Sequence, residues 1–381
     1  MTVTRRTFMR AAGAGIAAVA AGLPSTSARA AEAAGLVRQT ERPTNYESLR
    51  STYTTRITPV ERFYLRSHHD TPSVDATTWR LRVHGLVGHE LSLSLDELRA
   101  LPQTTVEAVL QCSGNGRALL RPRVPGVQWQ RGAVGNAEWR GVRLKDVLAK
   151  VLPGKDARWL HLAGADAPVL PSAPKFLRAI DLDRARHPDT LIALEMNGAP
   201  LPPLHGAPAR LVVPGWVADD WMKWLTDIEL SATEPDAFFY KTAYRFPTQK
   251  VEPGAAVPPE QMGPMTAMNV KSILGSHDDA QAIAPGKTEV VGVAWSGGNG
   301  VKAVEVSFDG GATWSAARLD GDATPYGFRV FRAPWDAPPG RHRVGVRATD
   351  KAGAVQPEQP AWNPSGYLFN AVDWIELEVR A

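Results

Sequence analysis

The proline- and glycine-rich stretch PTQKVEPGAAVPPEQMGPM, residues 247–265, divides the chain into two unlike parts. After it, apolar residues alternate in short runs separated by Gly, Asp and Pro, as in TEVVGVAWSGG and GRHRVGVRATDKAG. Such alternation with frequent turns is typical of β-strands. Before it, strand-like and helix-like runs are mixed. Because a chain of 381 residues also exceeds one ordinary domain, we expect two domains with separate cores.

The two parts predict different fold classes. Residues 31–262 mix helical runs at 94–101, 143–151 and 176–186 with strand-like runs such as RWLHLAGA and DTLIALEMNG. This mixture has no regular βαβ period, so we expect an α+β domain. Residues 263–381 contain strand and turn signals, including the hairpin signal DGGATW. They predict an all-β immunoglobulin-like sandwich without its disulfide.

The first thirty residues have the features of an export signal. Arg5 and Arg6 precede an apolar run at residues 11–23, and the small-residue sequence ARA follows at 28–30. The apolar run is too short for a comfortable membrane span, and its flanks are those of a signal peptide. The paired arginines have the twin-arginine form read by a bacterial exporter. We therefore predict a twin-arginine signal peptide at residues 1–30 and a periplasmic mature chain without a membrane span.

Charge and cysteine content exclude several classes of protein. Subtracting the four arginines of the signal from the formal net charge of +4 leaves about zero. The chain has no lysine-rich tail and no basic helix with interleaved aromatics, so we predict no nucleic-acid partner. The single cysteine excludes an intramolecular disulfide framework and four-cysteine zinc or iron–sulfur sites. No C-x-x-C-H motif for covalent haem occurs.

That cysteine, Cys112, lies in VLQCSGNGRALLRP, between a predicted strand and a glycine-rich turn. A lone cysteine is often a buried, inert apolar residue. However, Arg117, Arg121 and Arg123 follow it, and nearby cations lower the pKa of a thiol and favour the thiolate. No cysteine-protease signature surrounds it. Taken alone, the segment leaves both an inert and a reactive thiol open.

Two further segments combine basic residues with turns. In FYLRSHHD, Arg66 and His68 would share one face of a strand, whereas adjacent His68 and His69 would point to opposite faces. The segment MNGAPLPPLHGAPARLVVPGWVADDWMKWL suits a phosphate or another multiply charged anion. Its basic residues are His205, Arg210 and Lys223. No Walker A or G-x-G-x-x-G pattern indicates a conventional nucleotide.

Together these segments resemble the molybdenum-cofactor domain of the sulfite oxidase family. LQCSGNGR resembles the family's cysteine loop, FYLRSH its Arg-x-His strand, and the segment from MNG to KWL its pterin-binding region. VKAVEVSFDGGATW resembles its C-terminal dimerisation domain. The resemblance covers about residues 40–379. The cysteine loop alone is moderately specific, and the four motifs in this order are highly specific.

The resemblance implies a cofactor and its ligands. In this family a cysteine thiolate binds molybdenum beside the dithiolene of one molybdopterin, which assigns the metal-ligand role to Cys112. A soft thiolate suits a metal that changes oxidation state. The implied cofactor is one molybdenum–molybdopterin per chain, with no haem in this chain. The other implied cofactor-binding residues are Arg66, His68, Asp166, His205, Arg210 and Lys223.

The resemblance also implies a pocket for an oxyanion substrate. Its implied members are Arg66, Arg117, Arg329, Trp129 and Tyr244. Arginine suits such a substrate because its guanidinium stays charged and donates forked hydrogen bonds. Tyr240 lies close to Tyr244 in the sequence and leaves the identity of the active-site tyrosine open. Pro125 stands where vertebrate-type members carry lysine, so anion binding would depend more on the arginines. No role is predicted for Arg121 and Arg123.

The implied activity is that of a sulfite dehydrogenase, which oxidises sulfite and passes electrons to an external c-type cytochrome. The expected partners are sulfite, that cytochrome and a second copy of the chain bound through the C-terminal domain. Alternatives within the same fold are a sulfane dehydrogenase-type subunit and an oxidoreductase for other S-oxides or oxyanions. A less favoured alternative from another class is an exported binding protein that kept the fold and lost the metal.

Overall fold

Strands dominate the chain in the computed structural model, which describes residues 35–168 and 170–380. The predicted signal peptide at residues 1–30 lies outside these residues. In the part that is described, no helix is long and apolar enough to cross a membrane. The α-helices found there are short: α1 (Leu95–Arg99), α2 (Leu144–Val151), α3 (Leu182–Ala185) and α4 (Phe238–Lys241).

Two five-stranded sheets organise the first domain. Its strands are β1 (Val37–Thr40), β2 (Asn45–Glu47), β3 (Arg80–Gly85), β4 (Leu91–Ser94), β5 (Gln103–Gln111), β6 (Val134–Arg143), β7 (Trp159–Gly164), β8 (Leu177–Asp181), β9 (Leu191–Met196), β10 (Ala199–Pro200), β11 (Arg210–Val212) and β12 (Leu225–Ser231). One sheet has the order β4–β3–β12–β7–β8. The other has the order β10–β9–β6–β5, with β11 also paired to β9. The long β5–β6 pair ends at Gln111 and Val134. Cys112 therefore follows directly after β5, the edge strand of this sheet.

Two of the three predicted helices are confirmed. Ser94 caps α1 with a capping box, because its hydroxyl accepts from the backbone of Glu97 while the Glu97 carboxylate accepts from the backbone of Ser94. In α2, the residues at 144, 147, 148 and 151 are buried, which is the stripe expected of a helix lying on a sheet.

Two local predictions are wrong. The segment 176–186 is not one helix, because Leu177–Asp181 pairs with β7 as strand β8 and the short helix α3 begins only after Asp181. The Asp181 side chain accepts from the backbone N–H of Arg184 and thereby starts that helix. The segment 63–68 is extended but is not a strand, since only Leu65 forms a bridge, with Tyr46.

The second part of the chain forms the predicted β-sandwich. Its strands are β15 (Lys271–Leu274), β16 (Gln281–Ile283), β17 (Gly286–Trp295), β18 (Val301–Ser307), β19 (Ser315–Ala316), β20 (Arg318–Leu319), β21 (Arg329–Ala337), β22 (Gly340–Asp350) and β23 (Asp373–Val379). They form sheets of order β15–β17–β21–β20 and β16–β23–β22–β18–β19. One buried apolar cluster joins residues of both sheets, including Val290, Phe331, Val344 and Ile375. Alternating burial along β23 explains why the sequence pattern predicted strands here.

The proline-rich stretch between the domains is closed at its base. Strand β13 (Arg245–Pro247) pairs antiparallel with β14 (Met262–Pro264), so the residues between them form a long loop rather than an open tether. After β14 the chain enters the sandwich beside the first domain.

A buried ion cluster joins the two domains. Asp373, fully buried at the start of β23, accepts from Arg50 Nη1 at 2.5 Å and from Arg131 Nε at 2.7 Å. It also accepts from the backbone N–H of Leu274 at 2.8 Å. Burial by itself raises the pKa of Asp373, but Arg131 and Arg50 outweigh it and hold the pKa below its usual value. The first domain supplies both cations and the second the carboxylate, so this contact fixes how the domains meet.

We predict that Asp373→Asn destabilises the chain by about 3–5 kcal/mol, because it leaves Arg131 buried without its counter-charge. Urea unfolding should detect the loss, and limited proteolysis within residues 247–265 should become faster as the domains separate. The control is Glu376→Gln on the same strand, whose carboxylate is exposed and lies 3.7 Å from Arg343. It should change the free energy of unfolding by no more than about 0.5 kcal/mol. Equal stabilities of the two variants would contradict the role given to Asp373.

Candidate active site

A cavity of about 660 Å³, counting the solvent at its mouth, lies where three segments of the first domain meet. These are the segment 64–68, the end of β5 with the turn after it, and the stretch 204–224, which contains β11. Tyr244, which follows α4, also lines it. The cavity therefore collects side chains from segments that are far apart in the sequence.

The cysteine turn is held tightly. The Cys112 N–H donates to the Ala133 carbonyl at 3.0 Å, and the Asn115 N–H donates to the Cys112 carbonyl at 2.9 Å. Gly116 has φ +97°, and a Cβ there would overlap the ring of Phe369 from the second domain. A glycine is thus required by both backbone conformation and space. The Cys112 side chain lines the cavity from this rigid turn.

Burial raises the pKa of the Cys112 thiol, while the guanidinium groups of Arg66 and Arg117 pull it down and Asp219 raises it further. Of the two kinds of thiol that the sequence left open, the chain alone favours the protonated one, because loss of hydration outweighs the nearby arginines. A metal ion would have to displace the thiol proton in order to bind.

One wall of the cavity carries positive charge with little compensation. The Lys223 side-chain nitrogen donates to Ser67 Oγ at 2.9 Å and to the Leu204 carbonyl at 3.1 Å. Burial, and next the nearby Arg210, lowers the pKa of Lys223 well below its usual value. Burial lowers the pKa of Arg210 to about 10 and that of His205, beside Arg210 and Lys223, to about 3. Arg210 Nε is buried without a hydrogen-bond partner. Such a wall is stabilised by an anion.

A second group of cavity residues is centred on Tyr244. The His68 ring stacks on Phe176, with centroids 4.1 Å apart, and His68 Nε2 is hydrogen-bonded to the Tyr244 hydroxyl. Burial, and next Arg66, lowers the pKa of His68 well below its usual value, and burial raises that of Tyr244. The imidazole is therefore neutral and the phenol keeps its proton, so the Tyr244 hydroxyl donates to His68 Nε2.

Two carboxylates also face the cavity, Asp166 and Asp219. Asp219 Oδ1 accepts from Ser113 Oγ at 2.9 Å, and Oδ2 is buried without a partner. Burial raises the pKa of Asp219 to about 7, although Arg178 opposes the shift. The adjacent Asp220 forms a fully buried ion pair with Arg178, at 2.7 Å. Asp219 therefore sits at the boundary between its charged and neutral forms.

The donors present fit an anionic cofactor that brings its own metal ligands. In the described part of the chain no group of three His, Cys, Asp or Glu residues could hold a metal ion by itself. A metal at Cys112 would have a single protein thiolate and would need further ligands from a cofactor. The basic side chains of Arg210 and Lys223, with an N–H of Arg210 that has no hydrogen-bond partner, suit a phosphate or a similar anion.

Comparisons with known proteins agree with this donor set. The family model "Oxidoreductase molybdopterin binding domain" matches residues 68–239, and "Mo-co oxidoreductase dimerisation domain" matches residues 263–380. The sulfite oxidase of Gallus gallus is 35% identical over 353 residues, covering 88% of this chain and 76% of the relative. That of Arabidopsis thaliana is 33% identical, covering 86% of this chain and 89% of the relative. The chain belongs to the sulfite oxidase family. Its members carry a molybdenum–molybdopterin cofactor.

Two further similar proteins differ from this chain in length or in the substrate for which they are named. Mitochondrial sulfite oxidase of Homo sapiens is 34% identical over 337 residues, but the match spans 85% of this chain and only 61% of the human protein. A crystal structure of the sulfane dehydrogenase SoxCD from Paracoccus pantotrophus superposes with a TM-score of 0.78 at 25% identity, covering 96% of this chain and 95% of that chain. The chain thus resembles enzymes named for different sulfur substrates.

The structure brings most of the predicted site residues together. Those that line the cavity are Arg66, His68, Cys112, Asp166, His205, Arg210, Lys223 and Tyr244. Between the two candidate tyrosines, it is Tyr244 that faces the cavity, whereas the Tyr240 hydroxyl donates to Glu234 at 3.2 Å. Arg121 donates to the carbonyls of Ala118 and Leu120, and Arg123 donates to Gln128, so neither reaches the cavity.

Three predicted substrate-pocket residues lie elsewhere. Arg329 is on β21 of the sandwich and donates to the Gly321 carbonyl. Trp129 is fully buried behind Tyr64, with ring centroids 6.4 Å apart. Arg117 lies outside the cavity lining and is turned toward backbone carbonyls. Packing against distant segments, not local spacing, sets the direction of these side chains, and their part in a substrate pocket stays a prediction.

Further residues in or beside the cavity were not predicted from the sequence. Asp219 was signalled by the adjacent acids of WVADDW, which stand out in an otherwise basic segment. Phe176, which stacks on His68, and Arg178, which lies 5.2 Å from the Tyr244 ring centroid, were hidden in the segment predicted to be a helix. Tyr367 of the second domain stacks on Tyr244, and nothing in its local sequence signals this.

Because His205 stays neutral in the folded chain but takes up a proton after unfolding, it disfavours the fold below pH of about 6.5. We predict that the cofactor-free chain loses about 2 kcal/mol between pH 7 and pH 5 through this residue alone. His205→Gln should remove that part of the pH dependence in urea unfolding measurements. His89→Gln, at an exposed position, is the control. An unchanged pH dependence in His205→Gln would show that its pKa is not depressed.

Proposed function

We propose that the chain is a sulfite dehydrogenase, a molybdenum-dependent sulfite:acceptor oxidoreductase. The observation that carries the proposal is that Cys112, the candidate metal ligand, shares one cavity with Arg66 and Tyr244. A soft thiolate ligand, a guanidinium and a phenol are the groups that oxidation of a small sulfur oxyanion needs. Named sulfite oxidases at 33–35% identity over most of the chain support the same substrate.

The chain's own residues would bind the cofactor and the substrate and would position the proton of the Tyr244 hydroxyl. Lys223 and Arg210 would hold the anionic part of the cofactor, and Cys112 would bind the metal after losing its thiol proton. When bound, the molybdenum cofactor supplies two-electron oxidation with transfer of an oxygen atom. Arg66 would attract the substrate anion. When substrate is bound, the Tyr244 hydroxyl would turn from His68 Nε2 and donate its hydrogen bond to the substrate, and it would keep its proton.

We further propose that electrons pass to an external c-type cytochrome and that the chain works as a homodimer in the periplasm. Oxidation of sulfite releases two electrons, and this chain contains no C-x-x-C-H motif that would hold a haem. The match of residues 263–380 to a dimerisation domain supports a second copy as partner. The twin arginines at 5 and 6 support export.

A sulfane dehydrogenase activity is the second candidate. It is favoured by the SoxCD structure, whose fold matches this chain over 96% of its length. The two candidates differ in the reduced substrate, a free sulfite anion in one case and a sulfane sulfur in the other.

We predict that Cys112→Ser abolishes sulfite-dependent reduction of ferricyanide or cytochrome c, because the serine hydroxyl is a poor ligand for a soft metal. Unmodified protein from a host that makes the cofactor should contain about one molybdenum per chain, as expected of a single-site metalloprotein. Arg121→Gln on the same segment, exposed and outside the cavity, is the control and should stay active.

The outcomes separate the candidates. An active Cys112→Ser protein would refute the ligand assignment. Protein that contains molybdenum and oxidises a persulfide but not sulfite would favour the sulfane dehydrogenase. A clean preparation without molybdenum would leave the exported binding protein as the better description.

We predict that the natural chain, expressed with its first thirty residues, is recovered from the periplasm with its N-terminus at Ala31. Replacing Arg5 and Arg6 by lysine should leave the protein in the cytoplasm, because the twin-arginine exporter reads the arginine pair. Cell fractionation and mass spectrometry of the mature N-terminus measure both outcomes. Unimpaired export of the twin-lysine variant would indicate a plain secretory signal.

A further inference from the structure

Asp219 is a buried acid in the lining of the cavity. It lies on the 3-10 turn Ala218–Asp220, and only 5% of its surface is exposed. The N–H of Val217, directly before this turn, donates to the Thr266 carbonyl at 2.8 Å. The N–H of Trp221, directly after it, donates to the carbonyl of the turn's first residue at 3.1 Å. These bonds hold the backbone on both sides of Asp219, so its carboxyl group has a defined place in the cavity.

The two carboxyl oxygens of Asp219 have different surroundings. Oδ1 accepts from Ser113 Oγ at 2.9 Å, and Ser113 directly follows Cys112, so the carboxyl group is tied to the turn that carries the candidate metal ligand. Oδ2 is buried and has no hydrogen-bond partner. A buried polar atom without a partner costs about 1–3 kcal/mol. A group bound in the cavity is therefore favoured if it supplies the missing partner of Oδ2.

The charges around Asp219 do not hold it as a carboxylate. The Arg178 guanidinium forms its ion pair with the neighbouring Asp220, at 2.7 Å, and among the residues that the structure describes none forms a salt bridge with Asp219. Burial and Asp220 raise the pKa of Asp219 to about 7 against the opposing effects of Arg178 and Arg66. A thiolate at Cys112 and an anion in the cavity would each raise this pKa further, because like charges disfavour the ionised form. A filled cavity therefore favours the neutral acid.

We infer that Asp219 is a substrate-binding residue that stays a neutral carboxylic acid and donates a hydrogen bond from Oδ2 to the oxyanion in the cavity. This inference rests on the proposed function and deepens it. In the neutral acid, Oδ1 is the carbonyl oxygen that accepts from Ser113, and Oδ2 carries the proton. A carboxylate in the same place would repel the anion and leave Oδ2 without a partner. A carboxylic acid kept neutral by burial can instead donate to an anionic oxygen, and it adds this donor to those of Arg66 and Tyr244 without a further positive charge.

Sulfate affinity tests the inference, because sulfate presents oxyanion oxygens and needs no turnover. Holoenzyme variants are compared by calorimetric titration with sulfate at equal molybdenum content. Asp219→Asn keeps a donor and an acceptor in the same shape and should bind sulfate within about twofold of the unmodified protein. Asp219→Ala removes the donor and should raise the sulfate dissociation constant about tenfold, as expected for the loss of a hydrogen bond to a charged acceptor. The KM for sulfite should rise in the same proportion.

Infrared spectroscopy supplies a readout that does not depend on activity. The C=O group of a neutral carboxylic acid absorbs at a higher frequency than a carboxylate does. The difference spectrum between the unmodified holoenzyme and Asp219→Asn should contain this acid band at neutral pH, and sulfate should shift it because the Oδ2 proton gains an acceptor. Asp189→Asn is the matched control, since Asp189 is half-buried, accepts from the Tyr326 hydroxyl at 3.1 Å and lies outside the cavity lining. It should keep the band and bind sulfate within about twofold of the unmodified protein.

Several results would contradict a neutral donor at Asp219. Tighter sulfate binding in both Asp219→Asn and Asp219→Ala would overturn the inference, because it means that a carboxylate repels the anion. Unchanged sulfate affinity in Asp219→Ala would also overturn it, since Oδ2 would then not contact the anion. If Asp219→Ala fails to fold or to bind the cofactor, Asp219→Asn and the infrared band decide, and a missing acid band overturns the inference. If the unmodified protein contains molybdenum but does not oxidise sulfite, the proposed function fails, while the sulfate titrations still report on Asp219.

Discussion

The turn that carries Cys112 is held from both domains, and the architecture of the cavity depends on that double attachment. The first domain binds the turn through the Ala133 carbonyl, and the second through the Leu368 N–H and the Lys271 ammonium, which donates to the Asn115 carbonyl at 3.2 Å. A ring from the second domain covers Gly116. The buried Asp373 cluster keeps the domains in this relation. The sandwich therefore helps to hold the turn that supplies Cys112 to the cavity.

A second constraint is electrostatic. Lys223, Arg210 and His205 share a wall in which loss of hydration opposes every positive charge. Such an arrangement costs folding free energy in the chain alone and is offset when an anion binds. The family membership names that anion as the molybdopterin cofactor. The same loss of hydration raises the pKa of the Cys112 thiol, so cofactor binding and deprotonation of the ligand are linked.

Much of the fold follows from local pattern. The capping box at Ser94 and the buried stripe of α2 act within one or two turns of helix, so a short window of sequence contains their cause. The alternating runs after residue 265 are equally local. The prediction of a helix at 176–186 was wrong because the apolar spacing there is compatible with a helix, whereas pairing with β7 makes 177–181 a strand. Tertiary contact overrides propensity in such short segments.

By itself, the sequence determined the two-domain division, the single thiol and the basic residues that line the cavity. Residue type and the order of motifs suffice for these properties. Only the tertiary structure decided which arginines face the cavity. Arg66 does, while Arg117 is turned to carbonyls of Val127 and Ser365, and Tyr367 covers it from a segment 250 positions away. A guanidinium on a long side chain takes its direction from its hydrogen-bond partners, and those partners are brought near it only by the docking of the second domain.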